Sequence, residues 1–343
     1  MKKGGLPVRS VRWVCAAVFS LVLLAPAARA TCGAEGCPFV REAFGVQTGR
    51  YAFDLRYTDV TQDALWKGSH EVSLAEVLAQ PGLLHNEVEL YTRTRSWVAE
   101  GRALIGDRLR VNVTLPYVDR QHRHALYHGG GAAAFERQPV DEWDFEGLGD
   151  ATAIGQYRVF DRRGWPNVTL QGGVKLPTGR RHVPDETRTH GVFESALEPS
   201  ARPGTGSTDW LLGALVSQPL PWKRALPFTA SALMRFNTKG TDDFEAGDEL
   251  QAGLSGGYAP ADWLTLLGQA NLAAHGSDRS AEASEVAHSA MRSLYLTPGL
   301  RVRVSPAISL YGLYQARVLG RSDEATVAGR SHFMFGTTYS LGR

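Results

Sequence analysis

Residues 147–179 constrain the fold of this chain more than any other stretch, because two segments within them alternate in polarity at every second residue. In residues 151–159, small or apolar side chains alternate with polar ones such as Arg158. Residues 168–176 repeat the pattern, with Lys175 on the polar face. A two-residue period is typical of a β-strand with one apolar and one polar face. The connection between the segments is short and rich in turn formers, whereas the flanking segments are long and polar. This arrangement predicts a β-hairpin that crosses a membrane.

The rest of the chain repeats this unit, and no linker divides it. The predicted strands cover residues 50–57, 86–104, 108–117, 151–159, 168–176, 207–218, 226–237, 248–258, 263–272, 293–304, 308–319 and 331–341. Short turns alternate with long connections, which cover residues 58–85, 118–147, 179–206, 238–247, 273–292 and 320–330. We therefore predict an all-β fold: a single transmembrane antiparallel β-barrel of about 12 strands over residues 50–343, with short periplasmic turns and long extracellular loops.

Three local patterns refine this prediction. Residues 73–80 read as a helical turn inside a long loop. The alternation in the second strand is irregular, which predicts a β-bulge near Ala99. Trp165, Trp222 and Trp263 lie beside short turns, where a belt of aromatic side chains would meet the lipid headgroups.

Residues 1–30 have the three parts of a cleavable signal peptide: basic residues, an apolar run over residues 13–24, and the small-residue site Ala28-Arg29-Ala30. A membrane anchor is the alternative, but the run is short for one. Removing these residues takes away five basic side chains and no acidic one, so a formal net charge of +2 becomes negative. The charge therefore gives no reason to expect a nucleic-acid partner. We expect export to the outer membrane of a Gram-negative bacterium, with outer-membrane lipid, lipopolysaccharide and the barrel insertion machinery as partners.

The mature N-terminal segment, residues 31–49, contains the only two cysteines left after cleavage, Cys32 and Cys37. An oxidising periplasm favours a local disulfide between them. A soft-metal site is the alternative, but two thiols without a nearby histidine fall short of a ligand set. We predict a disulfide in a periplasmic segment.

Basic side chains recur on the polar faces of the predicted strands. The predicted lumen-lining positions are Arg108, Arg110, Arg158, Lys175, Arg235, Arg301, Arg303 and Arg317. Charges are costly on a lipid-facing surface, so these side chains should point inward, together with Asp54 and Glu249. Two interpretations stay open at this point. The residues line an anion-favouring pore, or they form salt bridges with loop carboxylates such as Asp242, Asp243 and Glu245 and close it.

Most histidines fall in the predicted external loops. His122, His124 and His128 could supply three imidazoles to Zn²⁺ or Cu²⁺, although histidine is also simply tolerated in polar loops. No other cofactor is indicated.

Catalysis would need a serine and a histidine on the same wall of the barrel. The nearest candidates, His288-Ser289 and Ser331-His332, are adjacent in the chain, and adjacent residues of a strand face opposite sides. We therefore predict no catalytic residue and no enzyme.

Four motifs resemble one outer-membrane family. They are GLGDATAIGQYRVF (residues 147–160), VKLPTGR (174–180), GTGSTDWLLG (204–213) and LRVNVTLPYV (109–118). They are similar to the family named for the phenol meta-cleavage pathway, and the resemblance covers residues 86–343. Membership implies an outer-membrane channel or transporter for small aromatic or hydrophobic solutes. The basic lumen-lining residues would favour carboxylates among such solutes, because an arginine pair offers a carboxylate bidentate contacts. Two alternatives remain: a 12-stranded outer-membrane lipid-modifying hydrolase, and a metal-capturing or structural barrel that uses its loop histidines.

Overall fold

A computed structural model describes residues 49–78, 85–128, 136–162, 165–183, 188–190, 197, 199–280 and 290–342. The predicted signal peptide, the cysteines Cys32 and Cys37, and the pair His288-Ser289 lie outside these residues. Within them, no helix combines the length and the apolar character needed to cross a membrane.

The described residues form sixteen strands in one sheet and one short α-helix. The strands are β1 (Tyr51–Gln62), β2 (Ala64–Gly68), β3 (His70–Glu71), β4 (His85–Ile105), β5 (Leu109–His128), β6 (Glu136–Leu148), β7 (Ala151–Phe160), β8 (Asn167–Leu176), β9 (Arg188–His190), β10 (Asp209–Gln218), β11 (Phe228–Phe236), β12 (Glu249–Ala261), β13 (Leu264–His275), β14 (Met291–Arg303), β15 (Ile308–Ala328) and β16 (Ser331–Leu341). The helix, α1, spans Leu74–Leu78.

Twelve of the strands close into an antiparallel barrel, in the order β1, β4, β5, β7, β8 and then β10 through β16. The closing pair is β16 with β1, in register from Val60↔His332 to Tyr51↔Leu341. The predicted fold class is therefore confirmed. We call the end of the barrel with the tight turns, such as residues 106–108, the short-turn end, and the opposite end the long-loop end.

Two of the predicted loops are in large part strand. β5 continues to His128 and pairs with β6, and β15 continues to Ala328 and pairs with β2. The prediction for residues 118–147 and 320–330 was wrong because these extensions lack an apolar outer face. In β5, for example, half-exposed Gln121 separates buried Arg120 and His122, so polarity does not alternate. Polar residues on both faces are typical of strands that continue into water.

The second barrel strand, β4, has its bulge at a different place from the one predicted. Its pairing with β1 runs without a shift from Gln62↔Thr92 to Tyr51↔Ala103, so Ala99 is regular. The register shift lies between Glu89 and Tyr91, in the pairing with β5. The irregular alternation has another cause: this strand turns a charged side chain, Glu100, into the interior beside apolar Val98.

The predicted helical turn is confirmed as α1. The backbone N–H of Ser73 donates to the carboxylate of Glu76 at 2.6 Å, and the backbone N–H of Glu76 donates to the Ser73 hydroxyl at 3.2 Å. This reciprocal pair satisfies two of the N–H groups that a helix start leaves open. The hydrogen bond from the Ser73 backbone also lowers the pKa of Glu76.

Candidate functional site: the barrel interior

The barrel turns apolar side chains outward and polar ones inward. Trp210 and Leu212 on β10 are each 59% exposed, whereas Asp209 and Leu211 between and beside them are buried in the interior. An apolar surface of this kind around a whole barrel suits contact with lipid rather than water. The three tryptophans predicted beside short turns, Trp165, Trp222 and Trp263, are also well exposed.

The predicted lumen-lining residues fall into two groups. Lys175, Arg235 and Arg317 lie toward the long-loop end of β8, β11 and β15. The other five lie at the short-turn end: Arg108 in the turn before β5, Arg110 on β5, Arg158 on β7, and Arg301 and Arg303 on β14. All except Arg108 occupy strand positions whose parity matches the buried, inward side chains.

Lys175 lies at the centre of a buried ionic cluster. Its Nζ is 2.9 Å from Asp150 Oδ2 and 2.8 Å from Asp209 Oδ2, and it donates to Ser207 Oγ at 3.1 Å. All four residues are 4% exposed or less. Two carboxylates and one ammonium group leave the cluster with an excess negative charge, so Lys175 does not present a positive charge to the lumen.

The same cluster explains three of the motifs behind the family resemblance. Asp150, Gly179 and Gly204 come from different motifs, yet the Gly179 N–H donates to Asp150 Oδ1 at 2.9 Å. A side chain at Gly204 would place its Cβ 2.6 Å from the carbonyl carbon of Gly179, so the two segments approach at a distance that only glycine permits. The motifs therefore build the long-loop end of the wall around Lys175. The sequence showed the motif residues but not that they meet.

Ion pairs continue along the wall beyond this cluster. Arg235, Glu249 and His275 are direct cross-strand neighbours on β11, β12 and β13. Arg235 Nη1 is 3.3 Å from Glu249 Oε1, and His275 Nδ1 is 3.6 Å from the same oxygen. His275 Nε2 is 2.8 Å from Asp278 Oδ1. Basic and acidic groups thus alternate along this part of the wall at the long-loop end.

The loop carboxylates that we considered as partners for the lumen have local partners instead. Asp242 is 2.5 Å from Arg202, Asp243 is 3.7 Å from Lys239, and Glu245 is 2.6 Å from Arg279. Among the described residues, Lys175, Arg235 and His275 pair with wall carboxylates and with Asp150 and Asp278 at its edge.

A second buried cluster lies toward the short-turn end, on β1, β4 and β15. Arg56 Nη1 is 3.1 Å from Glu100 Oε2 and 3.4 Å from Asp54 Oδ1. Arg102 Nε is 3.1 Å from Glu100 Oε1, and the Tyr311 hydroxyl donates to Asp54 at 2.9 Å. Of these residues the sequence analysis placed only Asp54 in the interior. Arg56 lies on the same face of β1 as Asp54, so the alternation of polarity could also have placed it in the interior. The bulge expected near Ala99 obscured the direction of Glu100 and Arg102.

His122 and His124 lie together on the inner face of the β5 extension. Their rings are 4.2 Å apart between centroids, and Trp143 of β6 packs within 6 Å of both. Among the described side chains, no three His, Cys, Asp or Glu residues are grouped to hold a metal ion. The side chain of His128 is not among those described, so a three-imidazole site stays a prediction.

Part of the connection between β8 and β10 folds against this inner face. Leu197 and Ala201 are buried against Trp143 and Phe145. Arg120 Nη1 donates to the carbonyl oxygen of Ala201 at 2.5 Å. A segment of a predicted external loop therefore lies on the interior side of the wall at the long-loop end.

Several large inward side chains lie flat along the wall, over a glycine of the next strand. The arrangement is evident from how close a Cβ atom at each glycine would come to the neighbouring side chain. At Gly213 a Cβ would come within 2.9 Å of Leu233, and at Gly336 within 2.6 Å of Tyr311. The absence of a side chain at these glycines lets the neighbour occupy space at the wall rather than at the barrel axis.

The serine–histidine pair at the start of β16 is arranged as predicted. His332 is buried in the interior, and its neighbour Ser331 takes the opposite parity. The two side chains therefore do not face the same space.

No protein-family model matches this chain, and no curated protein matches it in sequence. Among solved structures, the COG4313 outer membrane channel from Pseudomonas putida F1 is similar, with a TM-score of 0.59 at 12% sequence identity, over 88% of this chain and 99% of that one. The transport unit of the autotransporter AIDA-I from Escherichia coli has a TM-score of 0.45 at 8% identity, over 95% and 97% of the two chains. A Pseudomonas aeruginosa FadL homologue has a TM-score of 0.40 at 10% identity, over 86% and 91%.

The first of these similarities establishes a shared barrel fold, and the other two are too weak to support an argument. At such low identity a shared fold does not transfer a substrate. The resemblance to the phenol meta-cleavage family therefore stays a prediction.

Proposed function

We propose that this protein is an outer-membrane channel of a Gram-negative bacterium that admits small solutes. The observation that carries the proposal is the closed barrel with an apolar outside and a charged interior. Spanning structures in lipid must satisfy every backbone group internally, and a closed barrel does so. In this arrangement the short-turn end faces the periplasm and the long-loop end faces outward.

The solute class follows from the basic residues of the short-turn end. Arg301 is half buried and donates to Thr265 at 3.3 Å, and Arg303 is exposed. Guanidinium groups remain charged at every physiological pH, and in a narrow low-dielectric passage they favour anions. Small aromatic or hydrophobic carboxylates combine such a charge with the solute type that the phenol meta-cleavage resemblance implies.

A barrel that is closed at rest is the second candidate, favoured by the packing of Leu197 and Ala201 on the inner wall. In a gated channel this segment would move, whereas in a structural barrel it would stay. A gated channel conducts and a structural barrel does not, so a conductance measurement separates the two candidates.

The test is conductance of the purified protein in a planar bilayer. A channel gives discrete current steps, and a gated channel gives more frequent openings after Arg120→Gln, which removes the hydrogen bond to Ala201. A protein that conducts in neither form is not a channel. The solute class is tested by the reversal potential in a salt gradient, where preference for cations would contradict it.

Orientation is tested separately with epitope tags on intact cells. A tag within residues 219–225 should be hidden and a tag within residues 238–247 should be labelled. Labelling of the first tag alone would invert the proposed orientation.

A further inference from the structure

The segments outside the strands at the short-turn end carry more basic than acidic side chains. Among the described residues, these segments contain the basic residues Arg50, Arg108, Arg162, Lys223 and Arg224 and the acidic residues Asp107, Asp161 and Asp262. Two of these carboxylates already have a partner. Asp161 Oδ2 is 2.8 Å from Arg158 Nη1, and Asp262 Oδ1 is 3.8 Å from Arg224 Nη2. The short-turn end therefore presents an excess of positive charge to the solution.

Two arginines of this end are direct neighbours across the pair of β5 and β7. The register of that pair ends with Leu109↔Tyr157. One residue further, the N–H of Arg158 donates to the carbonyl oxygen of Arg108 at 2.9 Å. Like charges that lie opposite each other on two strands destabilise a sheet. Asp161 offsets the charge of Arg158, but Arg108 is exposed and forms no salt bridge within the described part of the chain. An anion at this position would offset the second charge.

A second group of positive charges faces this pair across the barrel. Counted from β1 around the barrel, β7 is the fourth of the twelve strands and β14 is the tenth, so half of the circumference separates them. The last residues of β14 include Arg301 and Arg303, at the same end of the barrel. Arg303 is exposed, and it too forms no salt bridge among the residues that the structure describes. The passage at the short-turn end therefore has guanidinium groups on two opposite sides.

Three basic residues at the long-loop end are arranged differently, because each has a carboxylate beside it. Lys175, Arg202 and Arg279 lie 2.9, 2.5 and 2.6 Å from a carboxylate oxygen. Their charges are offset by these partners, so they attract a further anion less than Arg108 and Arg158 do. This difference between the two ends gives anion binding a side of the membrane.

The number and the geometry of the charges at the short-turn end define the ligand. A guanidinium group is planar, stays charged at physiological pH and binds an oxyanion through two parallel hydrogen bonds. One such group satisfies a carboxylate with a single negative charge. Neighbouring guanidinium groups suit an anion with several oxygens and more than one negative charge, such as a phosphate group. Walls of low dielectric concentrate such counter-ions further.

We propose that the short-turn end of the lumen binds a small multivalent oxyanion of the phosphate type from the periplasm. Arg108 and Arg158 hold the anion, and Arg303 attracts it from the opposite side. While bound, the anion occupies the exit and slows the passage of monovalent carboxylates. This inference rests on the proposed channel and its orientation, and it adds to that function a control from the periplasmic side.

The first test is calorimetric titration of the full-length protein in detergent with inorganic diphosphate. Wild-type protein should bind diphosphate, and Arg108→Gln combined with Arg158→Gln should weaken binding about tenfold or more, because two charged hydrogen-bond donors are lost. Arg279→Gln is the matched control, since it removes an exposed arginine with one carboxylate partner at the long-loop end, and it should bind as the wild type does. Benzoate, with one negative charge, should bind more weakly than diphosphate.

No binding by the wild type, equal affinity in the double variant and Arg279→Gln, or equal affinity for benzoate would overturn the site. Heat-dependent migration in gels verifies that each variant is folded.

The second test is conductance in a planar bilayer, with diphosphate added first to one chamber and then to the other. The wild-type current should fall at a lower concentration from one chamber than from the other, and the double variant should lose this difference. A conducting protein whose current diphosphate does not reduce, or reduces equally from both chambers, contradicts the control from the periplasmic side. Conductance without diphosphate binding removes the site and keeps the channel, and binding without conductance does the reverse.

Discussion

Lys175 and the pair Arg301 and Arg303 gave the same signal in the sequence, yet the structure places them in opposite environments. All three are basic residues at inward positions of a strand. Lys175 is 1% exposed and lies between two carboxylates, whereas Arg301 is half buried and Arg303 is exposed. Strand parity therefore predicts the direction of a side chain but not its partners. Lys175 should therefore matter for stability, and the two arginines for the passage of ions.

The largest effect on stability is expected from Lys175→Met. The substitution leaves Asp150 and Asp209 buried without their counter-charge, which should cost about 3–5 kcal/mol. Thermal unfolding in detergent, followed by circular dichroism, measures the loss. Adding Asp209→Asn should restore part of it, and a double variant no more stable than Lys175→Met would show that the two residues are not coupled.

A smaller loss is expected from Gly336→Ala, at the cluster around Asp54. The new Cβ would lie 2.6 Å from Tyr311 Cζ and 2.8 Å from the carbonyl oxygen of Leu55, so Tyr311 must leave the wall. Overpacking of this kind costs about 1–3 kcal/mol. Gly312→Ala is the matched control, since a Cβ there would lie 4.0 Å from the carbonyl oxygen of Met334. If both variants unfold at the same temperature, the close packing of Tyr311 on Gly336 does not stabilise the barrel.

An exposed ion pair should contribute less again. Lys239 lies 3.7 Å from Asp243 in a loop, and both side chains are largely exposed. Exposed pairs contribute about 0–1 kcal/mol, so Lys239→Met should change the unfolding temperature far less than Lys175→Met. A comparable loss from the two variants would mean that burial does not decide how much these lysines contribute to stability.

The smallest effect on stability is expected from Arg301→Gln combined with Arg303→Gln, whose cost should stay within about 1 kcal/mol. Their effect should appear in the reversal potential instead, as a loss of anion preference in a salt gradient. An unchanged reversal potential would mean that the short-turn arginines do not set selectivity.

Much of the wall could be predicted because one apolar face is required wherever a strand meets lipid. The predicted strand at residues 168–176 differs from β8 (Asn167–Leu176) by a single residue. Where this requirement ends the prediction failed, as in the extension of β5 to His128. Side-chain partners could not be predicted for a different reason. Asp150 and Asp209 are separated along the chain by β7, β8 and a long loop, and only the folded wall brings both to Lys175.

The pairing of β1 with β16 means that the barrel closes only at the end of folding. The hydrogen bond from Thr338 to Asp54 joins residues separated by 284 positions. The first strand therefore cannot pair with the last until the whole chain has been made. Until then both strands present open edges, which are templates for aggregation. Contacts between such distant positions also slow folding, because a large loop must close first. The chain must therefore be kept apart from its copies between synthesis and closure of the barrel. A variant that weakens the pairing of β1 with β16 should accumulate first as aggregated precursor.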